Sequence, residues 1–523
     1  MLLLPVTFMA STCEDRVMSL TVSRRSVLAG AAALPFVRMP GARAATPGTL
    51  TFGLSSYPPN ILPWANTGTA AATVKLMIYR GLTGFAPDGS LRPELAEIWT
   101  AEGSTAWVFK LRDATFQNGE KVTSADVKWT IEQVVGEKST AFLRTQMQAI
   151  DKIETPDDKT VRLVMKEPAA TLPLVFANFH MPIISRVSDP KTPVGAGPFM
   201  IKAQERGVSI DLEANPKYYK PGLPKLKAVR AVAYADENLR VAALQAGDVD
   251  LIEYVPWQSM EAIGKDSKLA LDAVDGPCMY LVFNVTKPPF NDARVRKAVA
   301  HAIKREEIVK AAFFGRGSGL AHLPIPKASE FFNPEHENGW KYDPDLARKL
   351  LAEAGVGEGF TCSFLSTAQY GMHKDSAEVV QQNIAAVGIK AELNLPDWAT
   401  RVTVGNKGQY DIGVMGDAAD SNDPDGVAKW IDGSLSPSYS RSFGLKSDKI
   451  TALVKAGRAE FDAAKRKAIY REMEALVIEE APMVGLAWRS QGYAMQKRVG
   501  GFKNLPGALT FYSGTTFEDA TVG

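Results

Sequence analysis

The sequence predicts an α/β protein built from several domains. Three observations carry this. A chain of 523 residues exceeds what one compact core holds and suits roughly two to four domains. Hydrophobic residues make up 46% and charged residues 23%, the balance of a globular chain. Helical periods alternate with short apolar runs of strand character, the pattern of α/β units with mostly parallel sheets. The formal net charge is only +2, with no basic run or acidic tail, so nothing electrostatic calls for nucleic acid or an anionic membrane. There is no internal repeat and no low-complexity tract.

The elements follow in order. Thr49–Leu54 reads as a strand, and Pro58, Pro59 and Pro63 break the chain after it. Helical spacing runs from Thr69 to Leu82. Trp107–Leu111 alternates as a strand, and Thr123 caps a helix reaching Val135. Asp151–Met165 reads as a hairpin turning at Pro156-Asp157-Asp158. Strands follow at Phe199–Ala203, Ser209–Ala214 and Val229–Tyr234. A helix from Asn238 ends at Gly247, before a strand at Val249–Tyr254. Beyond Met279 come strand Tyr280–Asn284, helix Ala293–Ala302, helix Pro344–Ala354, strand Phe360–Leu365, helix Ser376–Val387 and strand Lys390–Leu395. A long helix, Ala463 to Glu480, precedes a strand at Met483–Trp488.

The N-terminus carries an export pattern. Arg24-Arg25 precedes an apolar stretch, Val27 to Val37, too short to span a bilayer, which leads to Ala42-Arg43-Ala44. This order of parts predicts a twin-arginine signal, residues 1–44, cleaved after Ala44. Met18 opens a conventional signal of this kind and is the expected start. No later stretch is apolar for the ~18 residues of a membrane-spanning helix. Beyond the signal only Cys278 and Cys362 remain. An oxidising compartment permits a bridge between them, and buried free thiols are the simpler expectation.

A set of motifs in fixed order resembles one family. Leu91-Arg92-Pro93-Glu94-Leu95-Ala96-Glu97-Ile98-Trp99 is followed by Trp107-Val108-Phe109-Lys110-Leu111 and Phe116-Gln117-Asn118-Gly119. Gly195-Ala196-Gly197-Pro198 stands where the family has Gly-Thr-Gly-Pro. Leu244-Gln245-Ala246-Gly247-Asp248-Val249-Asp250, Pro288-Pro289-Phe290-Asn291-Asp292-Ala293-Arg294 and Tyr342-Asp343-Pro344 continue the series. Together they resemble the large extracytoplasmic solute-binding proteins of peptide and nickel importers, family 5. The resemblance implies a two-lobed periplasmic-binding-protein fold of the large three-domain class, with a strand hinge between the lobes. Domain I would comprise 45–82, 186–270 and 478–523; domain II, 83–185; domain III, 271–477. It also implies a monomer exported to the periplasm, which hands a peptide or other amine-bearing solute to an ABC permease and its ATPase.

Candidate site residues come from the same resemblance. Gly416-Asp417-Ala418-Ala419-Asp420-Ser421-Asn422-Asp423-Pro424-Asp425 is similar to the segment whose aspartate holds a peptide's α-ammonium group, and Asp420 takes that position. A carboxylate there would form a charge-assisted hydrogen bond in a closed cleft. Asp417, Asp423 and Asp425 suit turns or caps. Tyr57, Thr67, Thr69 and Trp398 fall in segments that face the cleft in the family, and Tyr370 and Trp430 are further aromatic candidates. Two departures stand out. Asp417 replaces the Trp that often follows this Gly in peptide binders. The loop Thr367–Lys374 lacks the Arg with which dipeptide binders hold a C-terminal carboxylate. His373 or Lys374 is left to substitute, and Lys lacks the bidentate fork. A carrier of an opine-like solute or a metal chelate is the alternative reading.

Other chemistry finds no support in the sequence. There is no G-x-S-x-G, P-loop, dinucleotide fingerprint or H-E-x-x-H, so no enzyme and no cofactor is expected. The five histidines, at 180, 301, 322, 336 and 373, are scattered, which argues against a protein-ligated metal. The four aspartates of 417–425 lack the register of a calcium loop.

Overall fold

A computed structural model describes residues 47–523 apart from 66, 67, 190 and 328. The export signal, Cys13 and Thr67 lie outside the described residues. The frame is one eleven-stranded sheet. In chain order its strands are β1 (Thr49–Leu54), β2 (Phe199–Glu205), β3 (Ser209–Ala214), β4 (Ala228–Ala233), β5 (Leu251–Ile252), β6 (Leu269–Phe283), β7 (Gly317–Gly319), β8 (Phe360–Leu365), β9 (Ile389–Asn394), β10 (Ile412–Asp417) and β11 (Val484–Gln496). They lie in the order β9-β8-β10-β6-β11-β5-β1-β4-β3-β2, with β7 added against β11. A separate four-stranded antiparallel sheet holds Ala96–Glu102, Ala106–Leu111, Ile150–Asp157 and Thr160–Met165.

The expectation of mostly parallel sheets is corrected. β1 runs parallel to β4 and β5, and β8 parallel to β9 and β10, but the middle of the sheet is antiparallel. The reason is the length of β6 and β11. The sequence shows only Tyr280–Asn284 and Met483–Trp488 as apolar runs. The structure extends them to 15 and 13 residues and pairs them from Leu269↔Gln496 to Leu281↔Val484. The polar stretch Asp272–Asp275 hid that continuity.

Several boundaries move for local reasons. The helix expected to reach Leu82 ends at Ile78, because the Ile78 carbonyl is taken by Gly197 N at 3.1 Å and by the Gln117 amide at 2.9 Å. The strand expected over Val249–Tyr254 pairs only at Leu251–Ile252. Beyond it Tyr254 takes φ 52, and the buried Arg240 guanidinium binds the carbonyls of Tyr234, Glu253 and Tyr254. The helix expected from Ser376 begins at Gly371, and four helices of nine residues or more escaped the sequence reading: Trp257–Lys265, Arg305–Phe313, Trp398–Asn406 and Asp448–Ala459. Thr123 caps its helix and Gly247 ends one, as expected; Asp126 returns to the Thr123 N–H, and Gly247 is left-handed. Cys278 and Cys362 are buried free thiols. No described helix is long and apolar enough to cross a membrane.

Apolar burial gathers in three large clusters. One packs β6, β8, β10 and β11 against helices between Ala293 and Val477; a second surrounds β1 and β4; a third lies under the four-stranded sheet. A charged knot ties the C-terminal segment Gly507–Glu518 to the rest. Glu518 meets Arg80 at 2.8 Å, Arg92 at 3.0 Å and Lys220 at 2.8 Å, while Glu94 meets Arg92 at 2.7 Å and Lys220 at 3.0 Å. Both carboxylates are 1% exposed. Burial pulls the Glu518 carboxyl upward, but the three cations hold it well below its ordinary value. The same segment crosses β6 so closely that a Cβ on Gly276 would stand 1.9 Å from the Gly507 carbonyl oxygen, which explains a glycine there.

Two stability outcomes follow. Glu518→Ala strands three cations in the interior and should cost about 3–5 kcal/mol, read from urea unfolding. Burial raises the Glu474 carboxyl from 4.5 to about 8. The folded protein therefore keeps it protonated while the unfolded chain ionises. Its contribution is complete below about 4.5 and declines as pH rises to 8. Glu474→Gln should leave Tm nearly unchanged at pH 4.5 and raise it by about 3 °C or more at pH 8.

Candidate ligand-binding site

The best-furnished polar site lies at the end of β10, beside the β6–β11 pair. The β6 ladder sets Cys278 opposite both Asp417 of β10 and Trp488 of β11. Asp417 thus ends its strand two strands across from Trp488, the residue before Arg489. After Asp417 the chain loops through Asp420, makes a short 3-10 turn at Pro424–Val427 and enters the helix Ala428–Ile431. That helix returns Lys429 and Trp430 onto the loop.

The result is a compact acidic pair with one resident cation. Lys429 Nζ lies 3.0 Å from Asp417 Oδ2 and 3.1 Å from Asp420 Oδ1, and donates to the Ala418 carbonyl at 2.7 Å. Burial alone would lower the Lys429 ammonium; the carboxylates of Asp417 and Asp420 raise it. The Trp430 indole donates to Asp417 Oδ2 at 3.3 Å. Both aspartates keep more than a third of their side-chain surface exposed, at 36% and 39%. Two carboxylates sharing one ammonium leave one negative charge facing the solvent side.

Of the neighbouring aspartates, Asp423 has the cap role expected of it, whereas Asp425 serves as an ion-pair partner. Asp423 caps the 3-10 turn and grips Arg466 through both oxygens, at 2.6 and 2.7 Å. Asp425 is bound by Arg458 at 2.5 Å. Asp417 differs from that expectation, because it faces Lys429 and Trp430 as well as capping Ala418 N.

An aromatic and basic wall stands beside the acidic pair. Tyr370 precedes the helix Gly371–Ala385, and Trp398 opens the helix Trp398–Asn406. Their rings meet edge to face at 5.4 Å; Trp398 lies 5.4 Å from His373 and 5.9 Å from Tyr439. The Arg401 guanidinium lies 5.2 Å from the Trp398 ring and 5.8 Å from Tyr439. His373 also abuts β10, since a Cβ on Gly416 would stand 3.3 Å from its Nε2. Burial, followed by the charges of Arg401 and Arg489, pushes the His373 imidazole down to about 3, so the ring is neutral. Lys374, the other proposed substitute for an arginine, is turned away in a surface pair with Glu378 at 3.0 Å.

The structure thus joins Asp420 and Trp430 in one group, and Tyr370 and Trp398 in the adjoining one. Trp430 is wholly buried against Tyr280 and reaches the site only through its indole N–H. Tyr57 stands apart, near Gln204 in a groove with Pro58–Ile61 and Arg206. Thr69 is the first residue of its helix, and its carbonyl accepts the Thr73 hydroxyl. The sequence reading missed Lys429, Arg401, Arg489 and Tyr439. Arg401 was within reach, because it lies three residues after Trp398 on the same helical face. Arg489 was legible as a lone charge in the apolar run Val484–Trp488 and beyond.

The loop carrying Asp420 is docked on the C-terminal segment. The Tyr512 hydroxyl donates to the Asp420 carbonyl at 3.3 Å, and Asn422 exchanges hydrogen bonds with Pro506 O and Ala508 N, both at 2.9 Å. A second bridge joins the four-stranded sheet region to Arg458, whose carbonyl accepts Ala170 N at 2.7 Å.

Comparison with known proteins agrees with the architecture. Residues 90–437 match the family model described as bacterial extracellular solute-binding proteins, family 5, middle. The glutathione-binding protein GsiB of Pectobacterium atrosepticum is 28% identical over 482 residues, covering 88% of this chain and 91% of GsiB. The solved structure of AgaA from A. tumefaciens R10, in complex with agropinic acid, is 38% identical with a TM-score of 0.81, covering 91% of this chain and 99% of that one. DppA of Helicobacter pylori, solved with the peptide STSA, shares the fold at 22% identity and a TM-score of 0.77, covering 91% and 98%.

Lys429 is the residue on which the acidic pair rests. Lys429→Met should destabilise the ligand-free protein by about 1–2 kcal/mol at pH 7. Urea unfolding at pH 7 measures it.

Proposed function

Since this chain belongs to the bacterial extracellular solute-binding proteins of family 5, we propose that it is the periplasmic capture subunit of an ABC importer for a small amine-bearing solute. The observation that carries the reading is the Asp417–Asp420 pair. It holds one ammonium of its own, from Lys429, and keeps one negative charge unanswered at a half-exposed surface. A solute ammonium entering there would replace water around a carboxylate and gain a charge-assisted hydrogen bond. The wall of Tyr370, Trp398 and Tyr439 offers flat apolar surface for the rest of the solute. Asp420, Tyr370 and Trp398 are the residues proposed to touch it.

The capture step is a closure of two lobes about β6 and β11. The proposed division is domain I at 45–82, 186–270 and 478–523, domain II at 83–185 and domain III at 271–477. Separate apolar clusters support it. The contacts of Tyr512 with Asp420, and of Ala170 with Arg458, are the latches expected of a closed form. Export by a twin-arginine signal starting at Met18, action as a monomer, and delivery to a permease and ATPase complete the proposal. The protein carries its solute without converting it. The relatives bind glutathione, a peptide and agropinic acid, so a peptide and an opine are the two solute types to compare.

Native mass spectrometry of the purified protein, followed by denaturing release, should yield one small amine-bearing molecule per chain. Asp420→Ala should weaken its rebinding about 100-fold, or roughly 3 kcal/mol. Full affinity in that variant would discard Asp420 as the ammonium's partner.

A further inference from the structure

Two arginines beside this site have no acid to answer them. Arg401 is 1% exposed and Arg489 4%. Among the described residues, neither has a carboxylate within ion-pair distance. Arg401 gives Nη2 to the Val414 carbonyl at 2.5 Å, while its Nε and Nη1 have no hydrogen-bond partner. Arg489 gives Nη1 only to the Met372 sulfur at 3.2 Å, and its Nε is unpartnered. His373, against which both charges act, has an unpartnered Nδ1. These are four of the eight buried side-chain polar atoms left without a partner among the described residues, and all four lie around the Tyr370–His373 stretch.

Among the described residues, the other arginines less than a tenth exposed are answered, and only the half-buried Arg112 also keeps an unpartnered Nε, against the Tyr219 ring. Arg80 and Arg92 meet Glu518 and Glu94, Arg466 meets Asp423, and Arg240, Arg296 and Arg305 each hold several backbone carbonyls. Arg401 has only the Val414 carbonyl, the Met415 sulfur and two ring faces, and Arg489 only a sulfur, so neither charge meets an acid. A desolvated cation without a counter-charge is expensive, so its retention points to an acid that arrives. Asp275, the acid nearest along β6, is engaged by Ser318 at 2.8 Å instead. Asp417 and Asp420 are taken by Lys429. Counting the site's groups, two carboxylates (Asp417, Asp420) face three cations (Lys429, Arg401, Arg489), with His373 neutral. The balance is one positive charge.

We propose that Arg401 and Arg489 form an anion subsite beside the aromatic wall that receives a free carboxylate of the solute. The proposal rests on the capture reading above and narrows its solute class. The solute carries at least one free carboxylate in addition to its amine, and a cationic or carboxyl-blocked amine is excluded. Two guanidinium forks reproduce, from distant parts of the chain, the carboxylate grip that the Thr367–Lys374 loop lacks.

The test uses the full chain with agropinic acid, glutathione and succinate, each against its carboxyl-amide form, by thermal shift and calorimetric titration. At least one free acid should raise Tm by about 5 °C or more, with its amide bound about 100-fold more weakly. Arg401→Lys should weaken the acid about 10-fold, because charge remains and the fork is lost. Arg489→Met should abolish the preference for acid over amide while the ligand-free Tm holds or rises, since an unanswered charge has gone. A ligand-free Tm lowered by about 5 °C or more in Arg489→Met would mark that arginine as structural and overturn the proposal. So would equal binding of acid and amide, or no protection by any free acid at about 10 mM. Equal binding would leave solute capture standing, whereas native mass spectra with no bound solute would remove capture itself.

Discussion

Everything functional in this structure depends on the antiparallel pairing of Leu269–Phe283 with Val484–Gln496. This ladder joins the two parallel stretches of the sheet, β5-β1-β4 and β9-β8-β10, and carries β10 on its outer side. Its register sets Cys278 between Asp417 and Trp488, and so delivers Asp417 and Arg489 to the same neighbourhood. The period of a strand is two residues, so a slip by one would turn Arg489 to the opposite face. The register shifts between Asp275 and Cys278 and between Met279 and Tyr280. A bulge in a long strand alters its twist and re-aims the side chains beyond it, which suits a place where two halves of a molecule meet.

Around that ladder, charge is distributed by two different rules. In the Glu94–Glu518 knot, every carboxylate meets more than one cation, and the group serves to bind the C-terminal segment in place. At the candidate site the balance is left open on both sides. Asp417 and Asp420 share a single lysine, and Arg401 and Arg489 have no acid at all. A folded protein gains nothing in stability from such groups, and removing them commonly stabilises it. Charges left open beside aromatic rings are what the proposed recognition role requires and a structural ion pair does not.

The local elements were largely legible because their signals are local. Thr123 caps its helix as expected, Gly247 ends its helix in the left-handed conformation, and Ala463–Glu480 is helical over the span its periodicity gives. Errors arose where a distant group intervened. Gly197 and Gln117 stopped a helix at Ile78, and Arg240 turned the chain out of its strand at Tyr254. The site was half legible. The loop holding Asp420 and the aromatic pair Tyr370 and Trp398 stood out through the family's motifs. Tyr57 was drawn into the same group by motif position, yet it packs near Gln204.

The sequence by itself determined the family, the α/β character and the acidic loop, because motif order and hydrophobic period are properties of the chain read in line. Only the tertiary structure decided how the acids are answered and which cations remain unanswered. Lys429 reaches Asp417 and Asp420 across a turn whose geometry no spacing rule gives. Arg401 and Arg489 are 88 positions apart and come to one place through strand pairing and helix packing alone. Charge complementarity acts through space over a few ångströms, so it becomes visible only once the fold has set those distances.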